Sequence, residues 1–389
     1  MEPILGIFLK MSSIFLCNAT SYDCLLNNGL RGCVFVVELH SEIRRTSLGR
    51  KTQTLSVRGS WFWKSEISFR MKAFYSDQFV LPLPAGHRFP MQKYYLLRER
   101  VQAELPNVVL GEAPIAADSE LARVHAADYI ERVATGALDA REQREIGFPW
   151  SPEMVERSRR SVGATIAACH AARQDGFAVN LAGGTHHSYA SHGAGFCVFN
   201  DAAVAARAMQ AHAQERGERT PHIAIVDLDV HQGNGTASIF QDDPSVFTLS
   251  LHGTSNYPFS KEIGDLDIAL PDGCDDDLYA EALSGALSTM FDRFEPAMLI
   301  YLAGADPHVD DRLGRLALSV DGLAKRDSLV FSAATGRDLP VAITMAGGYG
   351  RDINVTVDIH LQTIQLAAVA FGARRDFCVP DKLRSANFI

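Results

Sequence analysis

The chain has 389 residues, 47% hydrophobic and 21% charged, with a formal net charge of -9; this is ordinary globular composition, long enough for one large domain or two smaller ones. Basic residues are dispersed, which excludes the basic footprint of a direct nucleic-acid binder while leaving a cationic partner electrostatically acceptable. Cys17, Cys24, Cys33, Cys169, Cys197, Cys274 and Cys378 form no CxxC pair, a pattern of a reducing cytoplasm rather than a disulfide framework; no run reaches the 18 or more apolar residues that a spanning helix needs.

Residues 1–70 differ from the rest of the chain. They hold nine basic and five acidic residues, a net of +4 that leaves -13 for the remainder, together with Trp61, Trp63 and three of the seven cysteines. No helical or strand period is sustained there. The first 22 residues lack a basic residue before their apolar run, and Lys10 interrupts it, so a signal peptide is disfavoured. Two readings stay open: a disordered or loosely packed extension, or upstream translation of a gene whose functional start is Met71. Residues 71–389 then form the catalytic domain.

From Met71, MKAFYSDQFVLPLP reads as a short strand and a proline-bounded loop, and His87 to Met91 opens a helix with Pro90 near its first position. A second helix is predicted from Asp118 or Ser119 on the spacing of Leu121, Val124 and Tyr129, and a third from Pro152 to about Arg173. An alternation of apolar strand and helix follows. Strands are predicted at Phe177–Leu181, Ile223–Val226, Val246–His252, Met298–Ala303 and Val341–Met345, with helices at Asp201–Arg216, Tyr279–Phe294, Leu323–Ala334 and Asp358–Gly372. The pattern predicts an α/β fold: a parallel multi-stranded sheet flanked by helices on both faces.

The stretch IAIVDLDVHQGNGT, Ile223 to Thr236, is the chemical centre of the chain. Its apolar run has no polar face, as in a strand buried on both sides. Side chains alternate along a strand, so Asp227, Asp229 and His231 are expected on one side of its carboxyl end. Burying such a group calls for a cation. A solvated strand end with a chance histidine is the plain alternative; a dinucleotide loop at Gly233-Asn234-Gly235 is the other, disfavoured because Ser238 breaks the fingerprint and cation-seeking groups stand where pyrophosphate would sit.

Three other predicted strands also end in glycine beside a useful side chain: FAVNLAGG before Thr185-His186-His187, AMLIYLAG before Ala305-Asp306, and VAITMAGG before Tyr349. Ligands of open α/β sheets bind at the carboxyl ends of strands, so four stretches are expected to converge. Asp229, His231 and Asp306 would supply three ligands and leave a fourth position open, as in a catalytic zinc site. Zinc there would acidify water and polarise a carbonyl; His186 and His187 would handle the proton, and Tyr349 would donate to the oxyanion. The expected reaction is amide hydrolysis.

These residues carry a resemblance. GGTHHSYASHGAGFCVFND (183–201), VDLDVHQGNGT (226–236), GADPHVDDRLG (304–314) and AGGYG (346–350), in that order, resemble the zinc-dependent histone deacetylase family of the arginase/deacetylase fold, over about Met71 to Gly372. The Gln232 form and LPLPAGHRFPM look most similar to class IV and bacterial deacetylase-like proteins. The resemblance implies metal ligands Asp229, His231 and Asp306; His187 as general base and acid; His186 as its electrostatic partner, oriented by Asp227; and Tyr349 at the oxyanion. It implies Gly195, Phe196 and Gly348 in the substrate tunnel. One Zn2+ per chain is implied, with Fe2+ the alternative, and a structural K+ at Asp227, Asp229, His231, Ser250 and Leu251. Three positions depart from the familiar pattern. Gln232 replaces a histidine, Ala346 a glycine, and Asn234 an aspartate, so Asn234 is expected to bond the His187 imidazole with less charge. The expected substrate is an acyl-lysine protein, with an acylated small amine such as an acetylated polyamine as the rival. An arginase-like dimanganese enzyme lacks a second ligand cluster, and a non-catalytic binding module sits poorly with a complete set of catalytic groups. No nucleic acid or membrane is expected as partner, and the oligomeric state is not addressed by the sequence.

Overall fold

A computed structural model describes residues 33–45, 51–63 and 70–377. The chain divides into two units, 1–68 and 69–389. In the first, β1 (Cys33–Arg45) and β2 (Lys51–Trp63) pair antiparallel, with Cys33 opposite Trp63 and Arg45 opposite Lys51. This pairing occurs where the sequence shows no sustained strand period. The remainder of the 1–70 expectation lies outside the described residues.

The second unit runs β3 (Met71–Tyr75), α1 (Gln92–Glu104), β4 (Val108–Glu112), α2 (Asp118–Leu121), α3 (Ala127–Thr135), α4 (Ala140–Ile146), α5 (Pro152–Asp175), β5 (Phe177–Asn180), α6 (Asp201–Glu215) and β6 (Ile223–Asp227). It continues through α7 (Asn234–Phe240), β7 (Val246–Gly253), β8 (Leu266–Leu270), α8 (Asp276–Arg293), β9 (Met298–Leu302), α9 (Val320–Thr335), β10 (Val341–Thr344) and α10 (Ile353–Phe377). One eight-stranded sheet has the order β4-β3-β5-β10-β9-β6-β7-β8, and every pairing in it is parallel. The predicted α/β architecture is the observed one.

Alternation explains why the central strands lack a polar face. Phe177, Val179, Ala224, Val226, Leu299, Tyr301, Val341 and Ile343 enter one core, shared with α1, α8, α9 and α10. Ala178, Ile223, Ile225, Met298, Ile300, Leu302 and Ala342 enter a second core on the opposite face, with α5 and α6. Burial on both faces favours continuous apolar strands. The edge strands β4 and β8 are only partly buried, and neither stands out in the sequence.

Helix starts follow local chemistry. Ser151 caps α5 ahead of Pro152, and Asn200 caps α6 by accepting from the Ala203 N–H, the expected use of such side chains. The single helix predicted near Asp118 is instead two, α2 and α3. At the break Ala126 N–H donates to the Ala190 carbonyl, while the His125 ring bonds the backbone at Tyr189 and Asn200, so tertiary bonds draw the chain out of the helix. Helix α10 contains a 20-residue window, Ile353–Gly372, long and apolar enough to cross a membrane, although the sequence shows no uninterrupted apolar run of that length; half of that window is buried within the fold, with Val357, Ile364 and Phe371 in the core.

The four strands that end in functional motifs, β5, β10, β9 and β6, are consecutive neighbours in the sheet. Their carboxyl ends therefore open on one edge.

Candidate active site

Strand β6 stops at Asp227, so Asp229 and His231 come from the turn before α7 and not from a continued strand; Asp306 follows β9. Ligand-capable atoms of Asp229, His231 and Asp306 lie within 4.8 Å of one another, and all three residues are buried. His231 Nδ1 is 3.0 Å from Asp229 Oδ1 and 3.4 Å from Asp306 Oδ2. The backbone orients the acids: Gly347 N–H donates to Asp229 Oδ2 at 2.8 Å, and Val230 N–H donates to Asp306 Oδ1 at 2.9 Å. Asp306 Oδ2 is left without a hydrogen-bond donor among the described residues.

Burial and the Asp229 charge push Asp306 up to about 7. Burial works against charge on Asp229 too, but His186 and His231 hold its carboxyl well below the usual range. His231 is likewise opposed by burial and yet lifted to about 10 by Asp229 and Asp306. A buried diacid with one unclaimed oxygen and an imidazole is the donor set of a divalent-metal site. Space is kept for it: a Cβ on Gly347 would stand 1.9 Å from Asp306 Oδ2 and 2.5 Å from Asp229 Oδ2. The residues fit a metal ion.

Asp227 turns away from this cluster, its Oδ2 lying 2.6 Å from His186 Nδ1. His187 Nδ1 lies 2.6 Å from Asn234 Oδ1, and the two imidazoles are 4.1 Å apart. Their environments separate them. Burial disfavours a charged His186, but Asp227 and Asp229 outweigh it and raise its pKa to about 9. Burial, followed by the positive His186 and His231, drives His187 well below its ordinary value. Adjacent groups pushed apart in this way divide into a cation and a neutral base.

Tyr349 follows β10 on a tightly held loop. Its N–H donates to Asp311 Oδ2 at 2.6 Å and its carbonyl accepts from Arg312 Nε at 2.9 Å. The buried Lys93 Nζ donates to the Ala346 and Gly348 carbonyls at 3.1 and 3.4 Å. Ala346 has φ of 50°, a left-handed conformation that favours glycine, which is the physical content of that departure from the familiar motif. Burial first, then Tyr94, Asp229 and Asp306, keeps the Tyr349 hydroxyl protonated by raising its pKa well above normal.

A cavity of about 600 Å³ joins these groups. Phe89, Phe148, Phe196, Tyr257 and Phe259 supply apolar wall, while His186, His187, Asp229, His231, Asp306 and Tyr349 line the polar end. Gly195 also lines it; at φ of 54° a Cβ there would meet the His187 ring at 2.5 Å. Gly348, expected in the tunnel, does not line the cavity. A Cβ there would instead meet Thr356, Ala305 and His360. Ser250 and Leu251 lie on β7, where Ser250 is level with Asp227 of β6.

Lys93, Asp311 and Arg326 were not singled out in the sequence. Arg326 is fully buried and its Nη1 donates to the carbonyls of Gly304 and Leu228, tying together the loops that carry Asp229 and Asp306. Asp311 alone had a local signal, since it lies inside GADPHVDDRLG.

Residues 87–363 match the histone deacetylase domain family. An uncharacterised protein of Picosynechococcus sp. is 43% identical over 290 residues, covering 74% of this chain and 94% of its own length. The histone deacetylase-like amidohydrolase of Pseudomonas aeruginosa is 31% identical over 69% of this chain and 74% of its own length. Histone deacetylase 2 of Arabidopsis thaliana is 32% identical over 59% of this chain, and the match spans 60% of its length. Among solved structures, an HDAC homologue complexed with SAHA aligns with a TM-score of 0.66 at 25% identity, covering 77% of this chain and 84% of that one. The fold and the site define a protein of parallel α/β architecture with a candidate metal site at the carboxyl edge of its sheet. The chain belongs to the histone deacetylase family.

Proposed function

We propose that this protein removes acyl groups from lysine side chains, with His187 as proton carrier and Tyr349 as oxyanion donor. One observation carries the reading: His187, its Nδ1 committed to Asn234, lines an aromatic-walled cavity together with the Asp229, His231 and Asp306 cluster. Held by those three residues, a divalent ion such as Zn2+, or Fe2+ as the alternative, supplies Lewis-acid polarisation and acidifies water. Neutral His187 accepts the water's proton at Nε2 and returns it to the departing lysine amine. The cationic His186 favours negative charge developing beside it, and Tyr349 donates its hydroxyl proton in a hydrogen bond to the carbonyl oxygen as that oxygen gains charge. Phe89, Phe148 and Phe196 pack the cavity wall and exclude water around an aliphatic side chain.

A structural K+ beside Asp227 and Ser250, the affinity to class IV and bacterial relatives, and a cytoplasmic location belong to the same proposal; buried free thiols at Cys169, Cys197 and Cys274 suit a reducing compartment. The test pairs elemental analysis with hydrolysis of acetyl-lysine and longer acyl-lysine peptides and of acetylated polyamines. Metal binding with peptide turnover is expected. Turnover of polyamines alone would reassign the substrate, and a metal-loaded protein inert on the whole panel would refute the reading.

A further inference from the structure

An asparagine behind a catalytic histidine carries an ambiguity that an aspartate lacks. Its amide can accept from an imidazole N–H through Oδ1 or donate to a bare ring nitrogen through Nδ2. The two choices put the imidazole proton on opposite nitrogens. Only the first leaves Nε2 of His187 free to accept a proton.

A chain of hydrogen bonds removes the ambiguity. Asn234 Oδ1 faces His187 Nδ1 at 2.6 Å, Asn234 Nδ2 donates to the Tyr189 hydroxyl at 2.9 Å, and that hydroxyl donates to Glu262 Oε1 at 3.0 Å. An ionised carboxylate only accepts. Glu262 therefore claims the tyrosine proton, which leaves the tyrosine oxygen to accept from Nδ2 and turns Oδ1 toward His187. Glu262 is itself placed from below: Gln232 Oε1 accepts from the Glu262 N–H at 2.9 Å, and Gln232 Nε2 donates to the Glu262 carbonyl at 2.7 Å and to Asp267 Oδ1 at 2.9 Å. Tyr189 is held by stacking on His192, with ring centroids 4.5 Å apart.

We propose that Tyr189 and Glu262 are positioning residues that set the tautomer of His187 through Asn234, and that Gln232 holds the Glu262 backbone in register for them. The proposal rests on His187 being the base of the proposed hydrolysis. It joins two departures from the familiar motif, Gln232 and Asn234, into one device: an amide replaces a carboxylate behind the histidine, and a remote carboxylate gives the amide its direction.

Tyr189→Phe tests it. Without the hydroxyl, either orientation keeps one hydrogen bond to His187 and leaves one amide group facing an apolar ring, so the bias of about tenfold that the Tyr189 bond supplies, the worth of roughly one hydrogen bond, is lost. The expected result is a mixture of the two tautomers and a fall in kcat of about twofold on an acetyl-lysine peptide, with KM and metal content unchanged. Imidazole 15N NMR should show part of the His187 proton population moving from Nδ1 to Nε2. In an Asn234→Asp background either carboxylate oxygen accepts, so adding Tyr189→Phe should leave the His187 proton on Nδ1 and kcat unchanged. Glu262→Gln, which can donate as well as accept, should shift the proton in the same direction while keeping the tyrosine. A His187 proton that stays on Nδ1 in both single variants, or an equal loss of kcat in the Asn234 and Asn234→Asp backgrounds, overturns the proposal. The NMR readout does not depend on turnover. A tautomer shift in a protein that hydrolyses no acyl-lysine would sink the functional reading alone, and robust hydrolysis with an unmoved proton would sink this inference alone.

Discussion

His125 and His187 are both buried, the first bonding the loop between β5 and α6 and the second sitting on it, yet they do opposite things with their rings. His125 has both nitrogens committed: Nδ1 is 3.0 Å from the Tyr189 carbonyl and Nε2 accepts from the Asn200 N–H at 3.0 Å. His187 commits Nδ1 to Asn234 and opens on the cavity. Each is kept neutral, His125 by burial that lowers it to about 4 and His187 by burial reinforced by His186 and His231. Neutrality alone does not make a base. What separates the clamp from the proposed base is a ring that opens on a cavity.

The sharpest way to break the cavity side while sparing the clamp is Gly347→Ala. Its Cβ would occupy the space between Asp229 and Asp306, so bound metal and turnover should both fall to background with circular dichroism nearly unchanged; full metal content by elemental analysis would show that these acids do not form the cradle. Next in size is His187→Ala, which should lower kcat by about 10²–10⁴ with metal retained, as for loss of a general acid–base group. Turnover within a few-fold of the parent would return His187 to the same class as His125.

Tyr349→Phe is expected to cost about 10²–10³ in kcat by removing one oxyanion donor. Its ring packing against Phe196, 5.9 Å between centroids, should survive, so thermal midpoint and metal content measured on the same variant should barely move. A drop in midpoint with normal turnover would mark a structural tyrosine instead.

The smallest catalytic effect belongs to His125→Gln. Stranding one of its two backbone partners should cost roughly 1–3 kcal/mol of stability, read by denaturant unfolding, with kcat changed far less. The pH dependence has a definite sign. His125 drops from 6.5 to about 4 on folding, so the unfolded chain binds the proton first as pH falls. The stability this neutral ring contributes is complete above about 6.5 and is lost as pH falls through the window to about 4, at up to roughly 1.4 kcal/mol per unit. The stability gap between the parent and His125→Gln should shrink across that window, and a constant gap would contradict the assignment.

The central strands and the strand-end motifs were legible because each is a contiguous local signal. An apolar run needs only its own residues to declare burial on both faces, and glycine followed by Asp, His or Tyr marks a chain that turns at a sheet edge. Strands β4 and β8 were missed because an edge strand is only partly buried and lacks the continuous run. Gly348, expected in the tunnel, lies outside the cavity lining beside Thr356 and His360, a placement set by packing around the loop that a motif does not display.

By itself the sequence determined the parallel α/β class, the four motifs and the chemical types of the groups in them, since composition and short-range alternation are properties of neighbouring residues. Only the tertiary structure decided that β10 inserts between β5 and β9, that Asp311 and Arg312 hold the Tyr349 backbone, and that Lys93 reaches a carbonyl 253 positions away. It alone placed Glu262 against Tyr189, 73 residues distant. Hydrogen-bond direction and pKa depend on which groups burial brings within about 3 Å, and that distance is set by the packing of the whole sheet and its helices.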